Sequence, residues 1–141
     1  MFVKDMMRTH VITIAPDAGL DRALVMMRLQ RIRHLPVSEQ GNLVGLITDR
    51  DLRLSMVEST GPQNAPKGLY LPALTKVRSV MKTEVTTVLP DDTIEHAAKL
   101  MSEKKFGGLP VLEKGGRKIV GIVTETDMLR LLVKLLTENH A

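Results

Sequence analysis

The sequence predicts an α/β fold of two tandem units, each with the order strand, helix, strand, strand, helix. Three observations support this prediction: the chain of 141 residues repeats itself, each copy joins β-branched runs to a helical apolar stripe, and each closes with a second helix. The copies lie 74 positions apart up to the Leu-Pro-Val segments at 35–37 and 109–111, and 76 apart afterwards. The matched pairs are Pro16 and Pro90, Asp17 and Asp91, Ala23 and Ala97, Met27 and Met101, Gly45 and Gly121, Thr48 and Thr124, and Asp51 and Asp127. A duplicated unit that packs against itself forms two related clefts, where function is to be sought.

The first strand and first helix of each copy follow from local patterns. Residues 11–14 read Val-Ile-Thr-Ile and residues 85–88 read Val-Thr-Thr-Val, which is typical of strands. Apolar residues then recur with the spacing of one helical face. They are Leu20, Ala23, Leu24 and Met27 in the first copy, and Ile94, Ala97, Ala98 and Met101 in the second. Because both copies preserve the stripe, we interpret it as core packed on a sheet.

A hairpin follows each of these helices. In the first copy, residues 35–37 and 43–47 flank a turn at 39–42, and the second copy repeats this hairpin around a longer turn at 113–117. Pro36 has no N–H to give to a strand ladder. We therefore expect the first hairpin strand to lie at a sheet edge or to begin beside a cleft.

These patterns divide the chain into a first copy at residues 1–56, a linker at 57–76, and a second copy at 77–141 that includes a C-terminal helix. Within the linker, residues 61–68 are rich in Gly and Pro and predict a loop, whereas residues 69–74 are apolar enough to dock on the body. The last helix, from Asp127, is apolar nearly all round and so needs two partners. We expect a homodimer; the alternative is that the linker covers this helix.

Composition excludes several classes of protein. Without cysteine there is no disulfide framework, thiolate metal cage or cysteine nucleophile, and the four histidines lack metal-ligand spacing, so no metal is expected. No apolar run reaches the ~18 residues of a membrane span, and no secretory signal is recognised, so we expect a cytoplasmic protein without membrane contact. A net charge of +4 with 2% aromatic residues argues against a nucleic-acid partner.

The strongest candidate site is a Thr-x-x-Asp sequence at the start of the last helix of each copy. It comprises Thr48 with Asp51, and Thr124 with Asp127. One interpretation is a capping box that satisfies free amides at the helix start. The other is a binding site, because a carboxylate there can accept hydrogen bonds from vicinal hydroxyls while the helix start attracts an anion. The duplication, and a glycine three residues before each threonine, favour the binding site without excluding the cap.

The ordered motifs, present in duplicate, resemble a tandem pair of CBS (cystathionine β-synthase) domains over nearly the whole chain. They are Met-x-Thr at 7–9 and 81–83, Leu-Pro-Val at 35–37 and 109–111, and Gly, two aliphatic residues and Thr-x-x-Asp at 45–51 and 121–127. Residues 106–111 and the closing Thr-Glu-Thr-Asp also resemble stand-alone acetoin-utilisation (AcuB-like) proteins. The resemblance implies units packed about a pseudo-twofold axis, with clefts for AMP, ADP, ATP, NAD or S-adenosylmethionine.

The resemblance also implies roles for individual residues. Asp51 and Asp127 would bind ribose hydroxyls, and Thr48 and Thr124 would lie near the first phosphate. The residues that would border the adenine are Val11, Ile12 and Thr13 for one cleft, and Val85, Thr86 and Thr87 for the other.

The residues before Leu-Pro-Val differ between the copies, so the two clefts are not expected to be equivalent. Arg33 and His34, helped by Arg50, suggest that the first cleft prefers a phosphorylated nucleotide, although Arg33 could also be a solvated cation. Gly107 and Gly108 replace them in the second copy. That cleft would bind phosphate less well, or would accept a bulkier ligand through close backbone approach.

We therefore expect a regulatory module and not an enzyme. Its ligand would be an adenine nucleotide (AMP, ADP or ATP) that signals energy state, with no catalytic cofactor, and it would modulate a protein target in trans or its own assembly. No serine has a base placed beside it by a recognised pattern, so no nucleophile is predicted. The alternatives are a DNA-associated accessory protein, a small catalytic domain, and a binder of NAD or S-adenosylmethionine.

Overall fold

The computed structural model describes residues 1–58, 69–70 and 74–139, and within these ranges the chain is an α/β structure. Its helices are α1 (Leu20–Gln30), α2 (Asp49–Ser55), α3 (Ile94–Lys104) and α4 (Glu125–Glu138). Its strands are β1 (His34–Glu39), β2 (Asn42–Thr48), β3 (Val57–Glu58), β4 (Leu69–Tyr70), β5 (Gly108–Leu112) and β6 (Ile119–Thr124). They pair antiparallel as β1 with β2, β3 with β4, and β5 with β6. The predicted fold class is confirmed.

The chain forms two compact units that do not coincide with the contiguous halves of the sequence. The first unit is Ile12–Val85, and the second unit combines Met1–Val11 with Thr86–Ala141. The opening residues, which the sequence boundaries assign to the first copy at 1–56, thus belong spatially with the second copy. In the same way, residues 77–85 belong with the first copy.

A short 3-10 helix lies in each opening segment, at Val3–Asp5 and at Val77–Ser79, and anchors it to its unit. In the second unit, Val3 is fully buried and its N–H donates to the Asp92 carbonyl at 2.8 Å. In the first unit, Val77 is equally buried and its N–H donates to the Ala18 carbonyl at 2.8 Å. The opening segment of the first copy therefore completes the second unit, and the opening segment of the second copy completes the first unit.

The predicted strands at 11–14 and 85–88 shrink to single bridging residues, Ile14 and Val88. The Ile14 N–H donates to the Pro36 carbonyl at 3.0 Å, and its carbonyl accepts from Ser38 at 2.9 Å. The next hydrogen bond of a parallel ladder would run from residue 36 to the carbonyl of residue 12, but a proline has no N–H to donate. The ladder stops there.

As expected, β1 is an edge strand, because it forms a two-stranded sheet with β2, and a single parallel bridge at Ile14 flanks its other side. Pro36 pairs with β2 on one side and receives the Ile14 hydrogen bond on the other. Pro110 occupies the same position in the second unit, where it accepts from the Val88 N–H at 3.1 Å. Proline is tolerated at this position because the N–H that it lacks would face the place where the parallel pairing with residues 12–14 ends.

Each unit has its own apolar core, centred on its first helix. The predicted stripes supply buried residues to these cores, namely Leu20, Ala23 and Met27 from α1, and Ile94, Ala97 and Met101 from α3. Both helices end at a residue with left-handed backbone, Arg31 at φ 54° and Lys105 at φ 56°. In each case the end residue's N–H bonds back to the helix, which is a common way to terminate one.

Helix α4 carries a row of large apolar side chains that are at least 45% exposed. They are Leu129, Leu132, Val133, Leu135 and Leu136. The predicted loop at 61–68, and residues 71–73 of the predicted docking segment, lie outside the described residues. No described helix is long and apolar enough to cross a bilayer.

Candidate functional site

The Thr-x-x-Asp sequence forms a capping box at the start of α2 in the first unit. The Thr48 side-chain oxygen accepts the Asp51 N–H at 3.2 Å, and Asp51 Oδ2 accepts the Thr48 N–H at 3.0 Å. The capping interpretation is therefore confirmed, and it uses only one carboxylate oxygen. Asp51 is half-buried, and its Oδ1 has no hydrogen-bond partner among the residues that the structure describes.

The same box starts α4 in the second unit, but its carboxylate is more fully engaged. Asp127 Oδ2 accepts from the Thr124 N–H at 2.9 Å and from the Thr124 hydroxyl at 3.0 Å. Asp127 Oδ1 is paired with the Arg8 guanidinium, whose Nε lies 3.2 Å away and whose Nη2 lies 3.1 Å away. The Asp127 side chain is 8% exposed, and it is the buried charged residue of the described chain.

A close backbone approach places Arg8 beside this site. Arg8 and Ile122 exchange two backbone hydrogen bonds, each 3.0 Å long. A Cβ built on Gly121 would lie 2.6 Å from Met7 Sδ and 3.1 Å from the Arg8 carbonyl, so this approach requires glycine. Glycine three residues before the threonine thus serves to seat a neighbouring segment.

The first unit repeats this arrangement with a different cation. Lys82 exchanges two backbone hydrogen bonds of 2.9 Å with Leu46, and a Cβ on Gly45 would lie 3.0 Å from the Lys82 carbonyl. The Lys82 ammonium makes no ion pair with any described residue, and the side chain is exposed. The two sites therefore share a backbone frame and differ in what lies next to the carboxylate.

Arg8 is a site residue that sequence reasoning missed. The repeat contained a usable signal, since Met7-Arg8 and Met81-Lys82 lie 74 positions apart and both follow methionine with a cation. The missing information was spatial: Arg8 reaches a carboxylate 119 positions further along the chain.

The structure brings the predicted basic residues of the first copy next to its Thr-x-x-Asp box. The Arg33 carbonyl accepts the Asp49 N–H at 3.1 Å, and His34 is the register partner of Thr48. Arg33 and Arg50 are exposed. In the second unit, the Gly107 carbonyl accepts the Glu125 N–H at 3.0 Å and Gly108 is the register partner of Thr124.

The residues predicted to border the adenine fall at the points where the chain passes from one unit to the other. Val11, Thr86 and Thr87 belong to the second unit, and Ile12, Thr13 and Val85 belong to the first. Thr13 Oγ1 accepts a hydrogen bond of 3.0 Å from the Ser38 hydroxyl in its own unit. The adenine role stays a prediction. No group of metal-ligating side chains is found among the described residues.

The chain contains two repeated units, and in each of them a capped helix carries an acidic side chain in its first turn. This arrangement defines a tandem-repeat module of the α/β class. Residues 3–58 and 77–134 match the CBS domain family. The chain belongs to this family, as its motifs predicted.

Relatives and solved structures agree with this assignment. A CBS domain-containing protein of Dictyostelium discoideum is 43% identical over 137 residues, which cover 96% of this chain and 94% of the relative. A putative acetoin utilization protein from Vibrio cholerae matches with a TM-score of 0.79 and 30% identity, covering 99% of this chain and 96% of that one.

Two similar structures contain adenosyl compounds. The CBS domain pair of protein MJ0100, in complex with 5′-methylthioadenosine and S-adenosyl-L-methionine, has a TM-score of 0.77 and 28% identity, covering 95% of this chain and 97% of that one. CBSX2 in complex with AMP has a TM-score of 0.74 and 26% identity, covering 95% and 97%. The chain is thus structurally related to modules that bind adenosyl compounds.

Proposed function

We propose that this chain is a non-catalytic regulatory module that binds an adenosyl nucleotide of the AMP, ADP or ATP class through its Thr-x-x-Asp boxes. The observation that supports this most directly is the Asp51 carboxylate, which uses Oδ2 for its own helix cap and keeps Oδ1 without a described partner. A carboxylate oxygen in this state is a strong acceptor for a sugar hydroxyl. A hydrogen bond to a charged group contributes about 1.5–3 kcal/mol.

The surroundings of Asp51 favour a ligand that carries phosphate. Thr48 Oγ1 accepts the Asp51 N–H, which leaves its hydroxyl proton able to donate to a phosphate oxygen. Arg33 immediately precedes β1, and Arg50 is on the same helix as Asp51. Both guanidinium groups are exposed and add positive charge to this end of the unit.

A thermal-shift panel of AMP, ADP, ATP, NAD, S-adenosylmethionine and duplex DNA tests the ligand class. A ligand at 100 times its dissociation constant adds about 2.7 kcal/mol to stability, which raises Tm by about 5–10 °C for a chain of this size. We expect the adenosyl compounds to raise Tm and DNA to leave it unchanged. If no adenosyl compound shifts Tm at millimolar concentration, this function is rejected.

Substitutions assign the binding to Asp51. Asp51→Asn keeps an acceptor for the helix cap but removes the charge, and we expect it to weaken AMP binding by roughly tenfold or more, the equivalent of one charged hydrogen bond. Asp49→Asn is a matched control, because it removes an acidic charge from the same helical turn. Equal AMP affinities of both variants and the wild type would contradict the role of Asp51. Equal affinities for AMP and adenosine would contradict the role of phosphate.

The regulatory part of the proposal is supported by the exposed apolar row of α4. We propose that this row mediates a homodimer or contact with a protein target in trans, in the cytoplasm. Light scattering at micromolar concentration should give the mass of a dimer, and Leu132→Glu, on the exposed row, should give a monomer. A wild-type monomer with and without AMP would remove self-assembly from the proposal.

A further inference from the structure

We propose that Arg8 closes the Asp127 carboxylate, so that of the two Thr-x-x-Asp boxes only the one with Asp51 is open to a sugar hydroxyl. The inference rests on the proposed function, because it assigns that function to one of two sites. It predicts one adenosyl ligand per chain, with Arg8 as the residue that decides between one and two.

Three hydrogen bonds and an ion pair engage both oxygens of the Asp127 carboxylate. A carboxylate offers about four lone-pair positions, two on each oxygen. Oδ2 uses its two for the N–H and the hydroxyl of Thr124, at 2.9 and 3.0 Å. Oδ1 accepts a hydrogen bond from Arg8 Nε at 3.2 Å, and the positively charged Nη2 of Arg8 lies 3.1 Å from the same oxygen. A ribose hydroxyl can bind Asp127 only by displacing Arg8 or by breaking the helix cap.

Displacing Arg8 is costly for two reasons. Its backbone is fixed by the paired hydrogen bonds to Ile122, so the residue as a whole cannot move away. Swinging the side chain away would break the charge-assisted contact with Asp127, which is 8% exposed when Arg8 is in place. A neutral hydroxyl does not replace the lost cation.

The first unit lacks this closure although its backbone is arranged in the same way. Lys82 stands where Arg8 stands, with the same pair of backbone hydrogen bonds to the adjacent strand. A lysine ammonium is a point charge on a flexible stem, whereas the planar guanidinium presents two donors to one carboxylate at once. In the described chain Lys82 makes no ion pair, and Asp51 Oδ1 accepts no hydrogen bond.

Titration calorimetry on the full chain tests the inference with adenosine and with AMP. Adenosine is the decisive probe, because it has no phosphate that could attract Arg8. We expect wild type to bind one equivalent, and Arg8→Met to bind two, because methionine keeps an apolar stem but has no cation. Lys82→Met is the matched control and should still bind one. Asp51→Asn should weaken adenosine binding by roughly tenfold or more. Asp51→Asn combined with Arg8→Met should recover one equivalent of the wild-type affinity, now at Asp127.

The alternative is that the Arg8 side chain rotates to bind a ligand phosphate and so strengthens nucleotide binding at the second site. In that case wild type binds two equivalents of AMP, and Arg8→Met loses one of them, which would overturn the inference. It is also overturned if wild type binds two equivalents of adenosine, or if Arg8→Met still binds one; in these cases the proposed function stands. If neither wild type nor Arg8→Met binds any adenosyl compound, the proposed function and this inference both fail.

Arg8→Lys provides a second test should Arg8→Met fold poorly. It keeps the charge and loses the two-donor geometry, so it should make the second unit resemble the first and raise the stoichiometry of adenosine binding from one to two. An unchanged stoichiometry of one in folded Arg8→Lys and Arg8→Met would overturn the inference.

Discussion

The ion pair between Arg8 and Asp127 should contribute measurably to the free energy of unfolding. At the observed 3.1 Å and an effective dielectric constant of about 20, the gross Coulomb attraction is about 5 kcal/mol. Dehydration of the buried carboxylate offsets much of it, and the Arg8 side chain remains 49% exposed. Exposed pairs contribute about 0.2–1 kcal/mol, whereas breaking a buried pair costs about 3–5 kcal/mol. For this half-exposed pair we expect a coupling of about 1.5 kcal/mol.

A double-mutant cycle measures this coupling directly. The free energy of unfolding in urea is determined for wild type, Arg8→Met, Asp127→Asn and the double variant, without ligand. Asparagine retains an acceptor for the Thr124 N–H, so the cycle isolates the ion pair from the helix cap. The coupling should fall as salt is raised, since one partner faces solvent.

The matched cycle uses Lys82→Met and Asp51→Asn in the first unit. Because no ion pair joins these residues, we expect their coupling to stay below about 0.3 kcal/mol, the usual error for independent sites. Equal couplings in the two cycles, or none for Arg8 and Asp127, would refute the asymmetry on which the single open site depends.

Three further predictions follow from backbone geometry and surface charge. Gly45→Ala should lower the free energy of unfolding by about 1–3 kcal/mol, because its Cβ would lie 2.5 Å from Met81 Sδ and 3.0 Å from a backbone carbonyl; an unchanged urea midpoint would contradict this. Lys105→Gly should raise that free energy by up to about 1 kcal/mol, because φ is 56° there, whereas Lys104→Gly inside α3 should lower it by about 1 kcal/mol. If both lower it equally, the left-handed cap is not strained. The hydrogen bond and charge of Arg78 lower the pKa of Asp17, so this carboxylate stabilises the fold above the ordinary aspartate pKa of about 3.9 and loses that effect as pH falls through its lowered folded value. Asp17→Asn should therefore flatten the acid limb of a pH–Tm profile, and an unchanged acid limb would argue against the pair.

Local patterns were sufficient to predict the helices and the Thr-x-x-Asp boxes. The stripe from Leu20 to Met27 and the capping sequence at Thr48 each depend on residues within two helical turns, and duplication doubled both signals. The short ladder at Ile14 was also within reach, because the proline that ends it is visible in the sequence. The same proline marks β1 as an edge strand of a two-stranded sheet.

Two features could not be predicted from local patterns. Val3 and Val77 occupy equivalent positions in the repeat, so either would fit either core, and no local pattern says that each opening segment completes the unit of the other copy. The pairing of Arg8 with Asp127 depends on that exchange. The contact of Arg8 with Asp127 closes one Thr-x-x-Asp box and has no counterpart at Asp51. It therefore depends on tertiary packing between segments that are far apart in the sequence.

Because each opening segment fills a core built from the other copy, neither copy is self-sufficient for folding. A cut within the linker would produce two fragments that each lack a buried valine and a neighbour for the second hairpin strand, and they would regain both only by associating. Starting the chain at Ile12 and joining the old termini would instead make both units contiguous. Comparing the folding of that permuted chain with the natural order would show how much cooperativity the exchange provides.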